Sequence, residues 1–478
     1  MKNILFTASE GVPFIKTGGL ADVIGSLPKY LNKDEFDVRV ILPKYTCMKE
    51  ELKAGMKYMT HFYMDLNWRR QYVGIFETEY EGVKYYFIDN EFYFQGFAPY
   101  GNIYEDIEKF AFFCRAVLSS LPVIGFRPDI IHCHDWQTGL IPVFLHDNFQ
   151  SNDFYWGIKT IMTIHNLKFQ GIWDKKVVKE ITGLLDYYFT PDKLEYKGDA
   201  NYLKGGIVYA DYVTTVSTTY AEEIKMPFYG EGLDGLMRAR SNCLCGIVNG
   251  LDYNEYNPET DKLIVNNFNS KNFRVEKVKN KIALQQELGL EENPDKFMIG
   301  ICSRLTDQKG LDLVDCVIEE ICAEDTQFVV LGTGDPKYEN LFRHFAWKYP
   351  NRVSANIFYS NERSHRIYAA CDAYLMPSLF EPCGLSQLMS LRYGTVPIVR
   401  ETGGLKDTVD PYNEYENSGD GFSFCNYNAH EMLATIRYAK SVYYGKKREW
   451  HKLIDRGMAT DFSWNNSAKQ YEELYRRL

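Results

Sequence analysis

The chain has 478 residues, 45% hydrophobic and 25% charged, a composition typical of a globular protein with two domains. Its formal net charge is −10, from 64 acidic and 54 basic residues, which disfavours a broad surface for nucleic acids or anionic membranes. A site for an anionic ligand therefore has to be a local cluster of Lys and Arg side chains.

The N-terminal segment carries only three apolar residues, at positions 4–6, before it turns polar, too few for the core of a secretory signal. No window approaches the roughly 18 apolar residues that a transmembrane helix needs. The eleven cysteines are odd in number and form no Cys-x-x-Cys pair. We therefore expect a cytoplasmic protein with reduced thiols and no membrane partner.

The first 45 residues have the pattern strand, glycine-rich turn, helix and strand. Residues 3–7 form an apolar run around Ile4, Leu5 and Phe6, typical of a strand buried on both faces, and residues 38–42 are predicted to be the next buried strand. Apolar residues recur at helical spacing from Leu20 to Leu31. This βαβ unit predicts a parallel sheet with right-handed crossovers.

Residues 56–104 are dense in Tyr, Phe and Trp, and the runs 73–76 and 83–88 flank the turn Glu81-Gly82. The pattern predicts a hairpin insertion. Its aromatic side chains could form a platform for stacking sugars, but packing within strands is the simpler interpretation, because aromatic residues are common strand formers.

After residue 104 the alternation of buried strands and helices resumes, and a second series of the same kind begins in the second half of the chain. We place the domain boundary at the polar stretch that begins with Asn249-Gly250, which gives an N-terminal domain of residues 1–248 and a C-terminal domain of residues 249–455. The further strands are expected at 130–132, 160–164, 212–216, 243–248, 297–302, 328–331, 373–377 and 396–399, and helices at 311–321, 362–371 and 385–393. Two such series predict the α/β fold class, with two doubly wound Rossmann-like domains facing a deep cleft at the carboxyl ends of their strands.

Two glycine turns, residues 17–22 and 402–407, both read Thr-Gly-Gly-Leu-x-Asp, and each follows a strand and opens a helix. Paired glycines let backbone amides approach a ligand, and a helix N-terminus favours an anion. Lys16 precedes the first turn, unlike the lysine of a Walker A loop, which follows its glycines. The turns could be merely tight connections, but their repetition in both halves favours an anion site.

A second basic element is the loop 303–310, which carries Arg304 and Lys309. A planar guanidinium and a compact ammonium suit a diphosphate, although both could be solvated loop charges. Glu381 follows another strand and precedes a helix. It could cap that helix or bind sugar hydroxyls, and the residues alone leave both possibilities open.

The segment His132-Cys-His-Asp-Trp136 resembles a metal site, because alternation places both histidines on one side. No second ligand cluster accompanies it, so we expect no metal. The chain also lacks Asp-x-Asp, the motif that chelates a metal on the diphosphate in many glycosyltransferases. Charge on a leaving diphosphate must then be met by protein cations and helix termini.

Together these motifs resemble the bacterial glycogen synthases and the related plant starch synthases. The segments that carry the resemblance are residues 16–22, 132–136, 163–166, 170–171, 303–310, 381–384 and 400–404. The resemblance implies two Rossmann-like glycosyltransferase domains, a cleft that closes on the donor, and a C-terminal helix, residues 456–478, that returns to the first domain. Because the two glycine turns lie on different domains, the diphosphate site is expected to be complete only when the cleft closes.

The reaction implied by the resemblance is transfer of glucose from ADP-glucose to the non-reducing 4-hydroxyl of an α-1,4-glucan, with retention and without a cofactor. The residues it marks as catalytic are Asp135, His165, Arg304, Lys309 and Glu381. Those it marks as donor-binding are Lys16, Gly18, Gly19, Asp22, Asn166, Asn249, Tyr359, Cys383, Gly384, Thr402, Gly403 and Gly404, with Tyr359 packing on the adenine. Glu401 departs from the family, in which many members carry a second cation beside Arg400.

Three other classes are compatible with parts of the pattern. A pyridoxal-phosphate glucan phosphorylase needs a Schiff-base lysine, for which the chain has no clear candidate. A retaining glycoside hydrolase could use Asp135 and Glu381 as its carboxylate pair. A non-catalytic glucan-binding protein would explain the aromatic residues but not the two anion turns. The choice of ADP-glucose over UDP-glucose rests on the resemblance alone.

Overall fold

The computed structural model describes residues 1–478 as an α/β chain. The chain divides into two compact units. The first unit comprises residues 1–216, 221–250 and 464–478, and the second comprises residues 217–220 and 251–463. None of the helices combines the length and apolar character needed to cross a lipid bilayer.

The strands alternate with helices along most of the chain. They are β1 (Lys2–Thr7), β2 (Phe36–Pro43), β3 (Lys57–Leu66), β4 (Arg69–Tyr80), β5 (Val83–Asp89), β6 (Ile130–His134), β7 (Lys159–Ile164), β8 (Ile172–Trp173), β9 (Glu195–Tyr196), β10 (Asp199–Asn201), β11 (Tyr212–Thr215), β12 (Leu244–Gly246), β13 (Phe297–Cys302), β14 (Thr326–Leu331), β15 (Val353–Asn356), β16 (Ala373–Met376), β17 (Val396–Arg400) and β18 (Phe422–Phe424).

The helices vary from single turns to more than five turns. They are α1 (Gly19–Tyr30), α2 (Glu50–Ala54), α3 (Glu91–Phe94), α4 (Ile103–Val123), α5 (Leu140–Phe144), α6 (Lys175–Thr182), α7 (Tyr202–Tyr209), α8 (Thr218–Glu223), α9 (Asp234–Ala239), α10 (Phe273–Leu288), α11 (Leu311–Ala323), α12 (Pro336–Lys348), α13 (Asn361–Ala370), α14 (Ser386–Arg392), α15 (Gly403–Thr408), α16 (Ala429–Gly445), α17 (Lys447–Ala459) and α18 (Trp464–Arg477).

The first unit is built on a nine-stranded sheet of order β12-β11-β7-β6-β1-β2-β5-β4-β3. From β12 to β2 the neighbouring strands pair in parallel, as predicted, and β5 pairs in parallel with β2. The central strand β1 is fully buried at Ile4, Leu5 and Phe6, which explains its continuous apolar run. Because β7, β6 and β1 are neighbours, the loops that leave their carboxyl ends lie side by side.

The aromatic segment continues this sheet. Its hairpin, β4 and β5, turns at Glu81-Gly82 as predicted, but β5 also pairs in parallel with β2, so the strands belong to the main sheet. Tyr85 and Phe87 are buried in the core of the unit, which confirms the packing interpretation for this strand. The pairing of β5 with β2 was missed because it joins strands about 45 residues apart and leaves no local pattern.

The second unit is built on a six-stranded parallel sheet of order β15-β14-β13-β16-β17-β18. Strand β13 has the predicted bounds, and its apolar residues are buried between helices. The loops after β13, β16 and β17 leave neighbouring strands at the same edge of the sheet. These three loops carry five of the twelve residues expected to bind the donor, namely Cys383, Gly384, Thr402, Gly403 and Gly404, together with Arg304, Lys309 and Glu381.

The C-terminal segment contains two helical pieces. Residues 456–459 end α17, because the backbone leaves the helical region at Thr460. Helix α18 belongs to the first unit, where Ser467 Oγ donates to the Val248 carbonyl over 2.6 Å and Tyr475 Oη lies 2.8 Å from His132 Nδ1. The helix is therefore anchored directly to strand β6.

Candidate active site

The first glycine turn is an open turn on the first unit. Gly18 precedes α1, and a Cβ atom placed on it would meet no atom within 4 Å. Lys16 Nζ lies 2.7 Å from Asp22 Oδ1 in the first turn of α1, so this predicted pair of site residues is in mutual contact. Since Lys16 and the residues up to Gly19 are exposed, an anion could reach both the ammonium group and the N-terminus of the helix.

A buried carboxyl group holds the backbone of the first glycine turn. Glu10 is 3% exposed, and its Oε2 accepts a hydrogen bond from the backbone amide of Thr17. Burial raises the pKa of Glu10, and the hydrogen bonds from Thr17 and Tyr100 oppose that rise. Sequence reasoning missed Glu10, although a carboxyl group just beyond the end of a buried strand was a usable indication.

Asp135 lies at the end of β6 in a strained backbone conformation. Its φ of +58° and ψ of −178° fall in a region that is essentially restricted to glycine and costs about 1–3 kcal/mol for other residues. Its Oδ1 accepts a hydrogen bond of 2.8 Å from the backbone amide of His165, at the end of β7. Burial raises the pKa of Asp135 to about 7, against the effect of the amides of His165 and Asn166. Strain and a perturbed pKa at one strand end make Asp135 a candidate functional residue.

Three imidazole rings lie next to one another beside Asp135, of which His132 and His134 are buried and His165 is partly buried. His134 Nδ1 lies 2.9 Å from His165 Nε2, while the two nitrogens of His132 contact Tyr475 Oη and Thr163 Oγ1. Burial lowers the pKa of His132 and of His165 to about 3, so both rings are neutral at physiological pH. His134 positions His165, a role that the sequence did not indicate.

Most of the ring nitrogens of these histidines have partners within the protein, but His134 Nε2 is buried without a hydrogen-bond partner. His132 has hydrogen-bond partners on both ring nitrogens, which leaves it no lone pair for a metal. In residues 1–478 no three His, Cys, Asp or Glu side chains are grouped closely enough to hold a metal ion. His132 is therefore a hydrogen-bonded residue of the core, and the absence of a bound metal stays a prediction.

Two predicted amides occupy different surroundings on the first unit. Asn166 Oδ1 accepts a hydrogen bond of 3.1 Å from the amide of Lys168 and shapes the loop after β7. Asn249 is 5% exposed, and its Oδ1 is buried without a hydrogen-bond partner. Such an orphaned acceptor costs about 1–3 kcal/mol and is a ready contact for a ligand hydroxyl.

On the second unit, two predicted catalytic side chains form an ion pair. Lys309 Nζ lies 2.6 Å from Glu381 Oε2, which also accepts a hydrogen bond of 3.1 Å from Ser378 Oγ. Both side chains are largely buried, whereas Arg304 on the same loop as Lys309 is exposed. Because Glu381 neutralises Lys309, the exposed guanidinium of Arg304 is the more available cation for an anionic ligand.

The second glycine turn is packed, in contrast to the first. A Cβ on Gly403 would lie 1.9 Å from the Glu381 carbonyl oxygen, and one on Gly404 would lie 2.0 Å from that of Cys383. The amide of Gly404 donates to the carbonyls of Glu381 and Pro382. Glycine is required here for close backbone packing, and the role of the Gly403 and Gly404 backbone in lining the donor site stays a prediction.

Most of the remaining predicted residues lie close in sequence to the second glycine turn or to the Glu381 loop, whereas Tyr359 lies on a different loop. Cys383 is buried, Gly384 precedes α14, and Thr402 is buried before α15. Arg400 is also buried and donates to the carbonyl of Leu379 over 2.8 Å, which holds the segment before Glu381. Glu401 accepts from Ser423 Oγ over 2.7 Å. Tyr359 is 80% exposed ahead of α13.

Comparisons with known proteins match both halves of the chain. The starch synthase catalytic domain matches residues 3–239, and the group 1 glycosyl transferases match residues 285–452. A glycogen synthase of Lachnoclostridium phytofermentans is 74% identical over 478 residues, which is 100% of both chains. A glycogen synthase of Clostridium acetobutylicum is 52% identical and covers 99% of each chain.

Solved structures agree with the sequence relatives. The catalytic domain of starch synthase IV from Arabidopsis thaliana, bound to ADP and acarbose, superimposes with a TM-score of 0.91 at 32% identity, covering 100% of this chain and 99% of that one. A sucrose-phosphate synthase from Thermosynechococcus elongatus has a TM-score of 0.63 at 17% identity over 100% and 99% of the two chains, and shares the fold. The chain belongs to the glycogen synthase and starch synthase family of glycosyltransferases.

Proposed function

We propose that the chain elongates an α-1,4-glucan by transferring glucose from ADP-glucose to the non-reducing 4-hydroxyl, with retention of configuration. The observation that carries the proposal is the arrangement of Arg304, Lys309 and Glu381 on loops at one edge of the second sheet. In an open parallel sheet, ligands bind at this edge. ADP in the starch synthase neighbour supports the choice of nucleotide.

In this reaction the bond between the anomeric carbon and the diphosphate oxygen breaks as the acceptor oxygen forms its bond on the same face. The acceptor proton leaves to the diphosphate, and negative charge grows there while the sugar becomes cationic. Arg304 and Lys309 stabilise that charge more in the transition state than in the ground state. Each charge-assisted hydrogen bond contributes about 1.5–3 kcal/mol, or roughly ten- to a hundredfold in rate.

On the first unit, polar groups suited to sugar hydroxyls lie at the ends of β6 and β7, and Lys16 with the start of α1 forms a cationic element of that unit. His165 is neutral, so it acts as a hydrogen-bond partner of a sugar hydroxyl and not as a charge. Asp135 holds the backbone of the His165 loop, and Asn249 offers its unpaired oxygen to a hydroxyl. No metal or cofactor takes part in this scheme, because protein cations and helix termini meet the diphosphate charge.

The proposal is tested with ADP-glucose labelled in its glucose. Wild-type protein is incubated with the labelled donor and glycogen, and the product is digested with an exo-acting β-amylase. Label released as maltose identifies an α-1,4 bond at the non-reducing end. Arg304→Ala is the matched control, because this exposed residue can be removed without opening the core. Wild-type protein that leaves glycogen unlabelled would refute the proposal.

A further inference from the structure

The imidazole ring of His134 is fixed in place beside that of His165. His134 and His132 both lie in β6 and are fully buried, and their rings stack at a centroid distance of 4.2 Å. Phe6 of β1 also stacks on the His134 ring, at 5.5 Å and with 18° between the two planes. Because this packing holds the ring, His134 Nδ1 stays directed at His165 Nε2, which lies 2.9 Å away.

His165 is anchored at two points and open at a third. Asp135 Oδ1 accepts a hydrogen bond of 2.8 Å from the His165 backbone amide, and His134 holds the Nε2 atom of the ring. The other ring nitrogen, Nδ1, has no hydrogen-bond partner in the protein and is accessible to a ligand, since His165 is only partly buried. Whether Nδ1 carries a proton therefore decides whether His165 donates to a ligand or accepts from it.

The contact between the two rings has two alternative forms, because a neutral imidazole carries a single proton. Burial lowers the pKa of His165 to about 3 and that of His134 well below its ordinary value, so both rings are neutral. If His165 Nε2–H donates, the proton of His134 has to lie on its own Nε2, which is buried without a hydrogen-bond partner. If His134 Nδ1–H donates, that buried Nε2 carries only a lone pair. A buried N–H without an acceptor is rarer in proteins than an unsatisfied acceptor, which favours the second form.

We propose that His134 is a positioning residue that donates its Nδ1 proton to His165 Nε2 and thereby fixes the proton of His165 on Nδ1. His165 then presents an N–H donor to a sugar oxygen, and it cannot offer a lone pair there without breaking its contact with His134. The inference rests on the proposed function, in which His165 contacts a sugar hydroxyl. A hydroxyl group accepts this bond and keeps its own proton free for another partner, whereas a group with donors only would be left unpaired.

The position of the His165 proton is measured by NMR of protein labelled with ¹⁵N at both ring nitrogens of histidine. Long-range ¹H–¹⁵N correlations at pH 8 distinguish protonated from unprotonated nitrogens, and signals lost in His165→Gln and His134→Leu assign the two rings. We expect the proton on Nδ1 of both rings in the wild type, and a mixture of both forms of His165 in His134→Leu. A wild-type proton on His165 Nε2 overturns the proposal. The measurement needs no turnover, so it does not depend on the proposed function.

Kinetic measurements test whether this proton matters for glucose transfer. His134→Leu fills a similar volume without the N–H, so kcat with ADP-glucose should fall about tenfold while KM for glycogen stays at the wild-type value. His134→Asn can place an amide N–H near the position of Nδ1, and its kcat should lie within about threefold of the wild type. His146→Leu is the matched control, since His146 is exposed on the first unit and its ring contacts Tyr188 and Tyr209.

Three kinetic outcomes would overturn the proposal. The first is wild-type turnover in His134→Leu with an unchanged thermal midpoint. The second is an equal loss in His134→Asn and His134→Leu, because the space filled by the ring and not its N–H would then matter. The third is a comparable loss in the His146→Leu control. If His134→Leu does not fold, the wild-type NMR spectrum and His134→Asn decide. A wild-type protein that transfers no glucose refutes the proposed function instead.

Discussion

Replacing Asp135 by Asn should stabilise the protein while reducing its activity. The carboxyl group of Asp135 is held in an environment that raises its pKa to about 7, mainly through burial. A group with a raised pKa favours folding when it is protonated, and that contribution is lost as the pH rises through the folded pKa. Above pH 7 the folded protein therefore carries an unfavourably buried charge that Asn removes.

The size of the effect follows from the same pKa. The difference between about 7 and the ordinary 3.8 corresponds to roughly 4 kcal/mol above pH 7. Asn loses part of this gain, because its amide group cannot accept from both backbone amides and one hydrogen bond costs about 1 kcal/mol. Asp135 is partly exposed to solvent, which reduces the expected gain in unfolding free energy further. We expect a net gain of about 2 kcal/mol, or roughly 4–8 °C in the midpoint of a unit of this size.

The assay follows thermal unfolding of wild type and Asp135→Asn between pH 4 and pH 9. The difference in midpoint should be small near pH 4, grow as the pH rises towards 7 and stay constant above it. Turnover at pH 8 should fall at least tenfold, since the carboxylate orders the His165 loop. A variant that is no more stable than wild type at pH 8, or equally stabilised at pH 4 and pH 8, would refute the reasoning.

Four further predictions use separate features. Arg304→Ala should lower kcat at least tenfold with an unchanged thermal midpoint, and near-normal turnover of the folded variant would remove Arg304 from the transfer site. Activity should persist in excess EDTA, so a loss that Mg²⁺ or Mn²⁺ restores would contradict the metal-free scheme. Tyr475→Phe should cost about 1–2 kcal/mol of unfolding free energy by removing the hydroxyl group 2.8 Å from His132, whereas Tyr63→Phe on the exposed face of β3 should cost almost nothing. NMR of ¹³Cε1-labelled histidine should detect no titration of His165 between pH 5 and pH 9, because its pKa is about 3, and a midpoint near 6.5 would show that the ring is solvated.

The buried parallel strands were predictable from sequence because their residues are apolar on both faces. Strand β13 was predicted at its observed bounds, and β6, β7 and β17 differ from prediction by one or two residues. The helices α12 and α16 were not predicted, since their partly exposed faces mix aromatic and charged residues. Strand β18 has only three residues, too few for an apolar pattern that would predict a strand.

Within the candidate site, the sequence identified residue types at strand ends but not their interactions. The shared Thr-Gly-Gly-Leu-x-Asp motif suggested two equivalent turns, yet the first is open and the second is closed by the backbone of Glu381 and Cys383. This difference depends on a loop from another strand, which no local pattern encodes. The same holds for His134 and Glu10, whose roles depend on contacts with His165 and Thr17.

The central claim is that glucose passes from a nucleotide donor to a glucan, and nucleotide release tests it most directly. Wild-type protein is supplied with ADP-glucose or UDP-glucose in separate reactions, each with and without glycogen. We predict glycogen-dependent release of ADP from ADP-glucose, at a higher rate than that of UDP from UDP-glucose. Absence of nucleotide release from both donors, or shortening of glycogen without any donor, would contradict the claim.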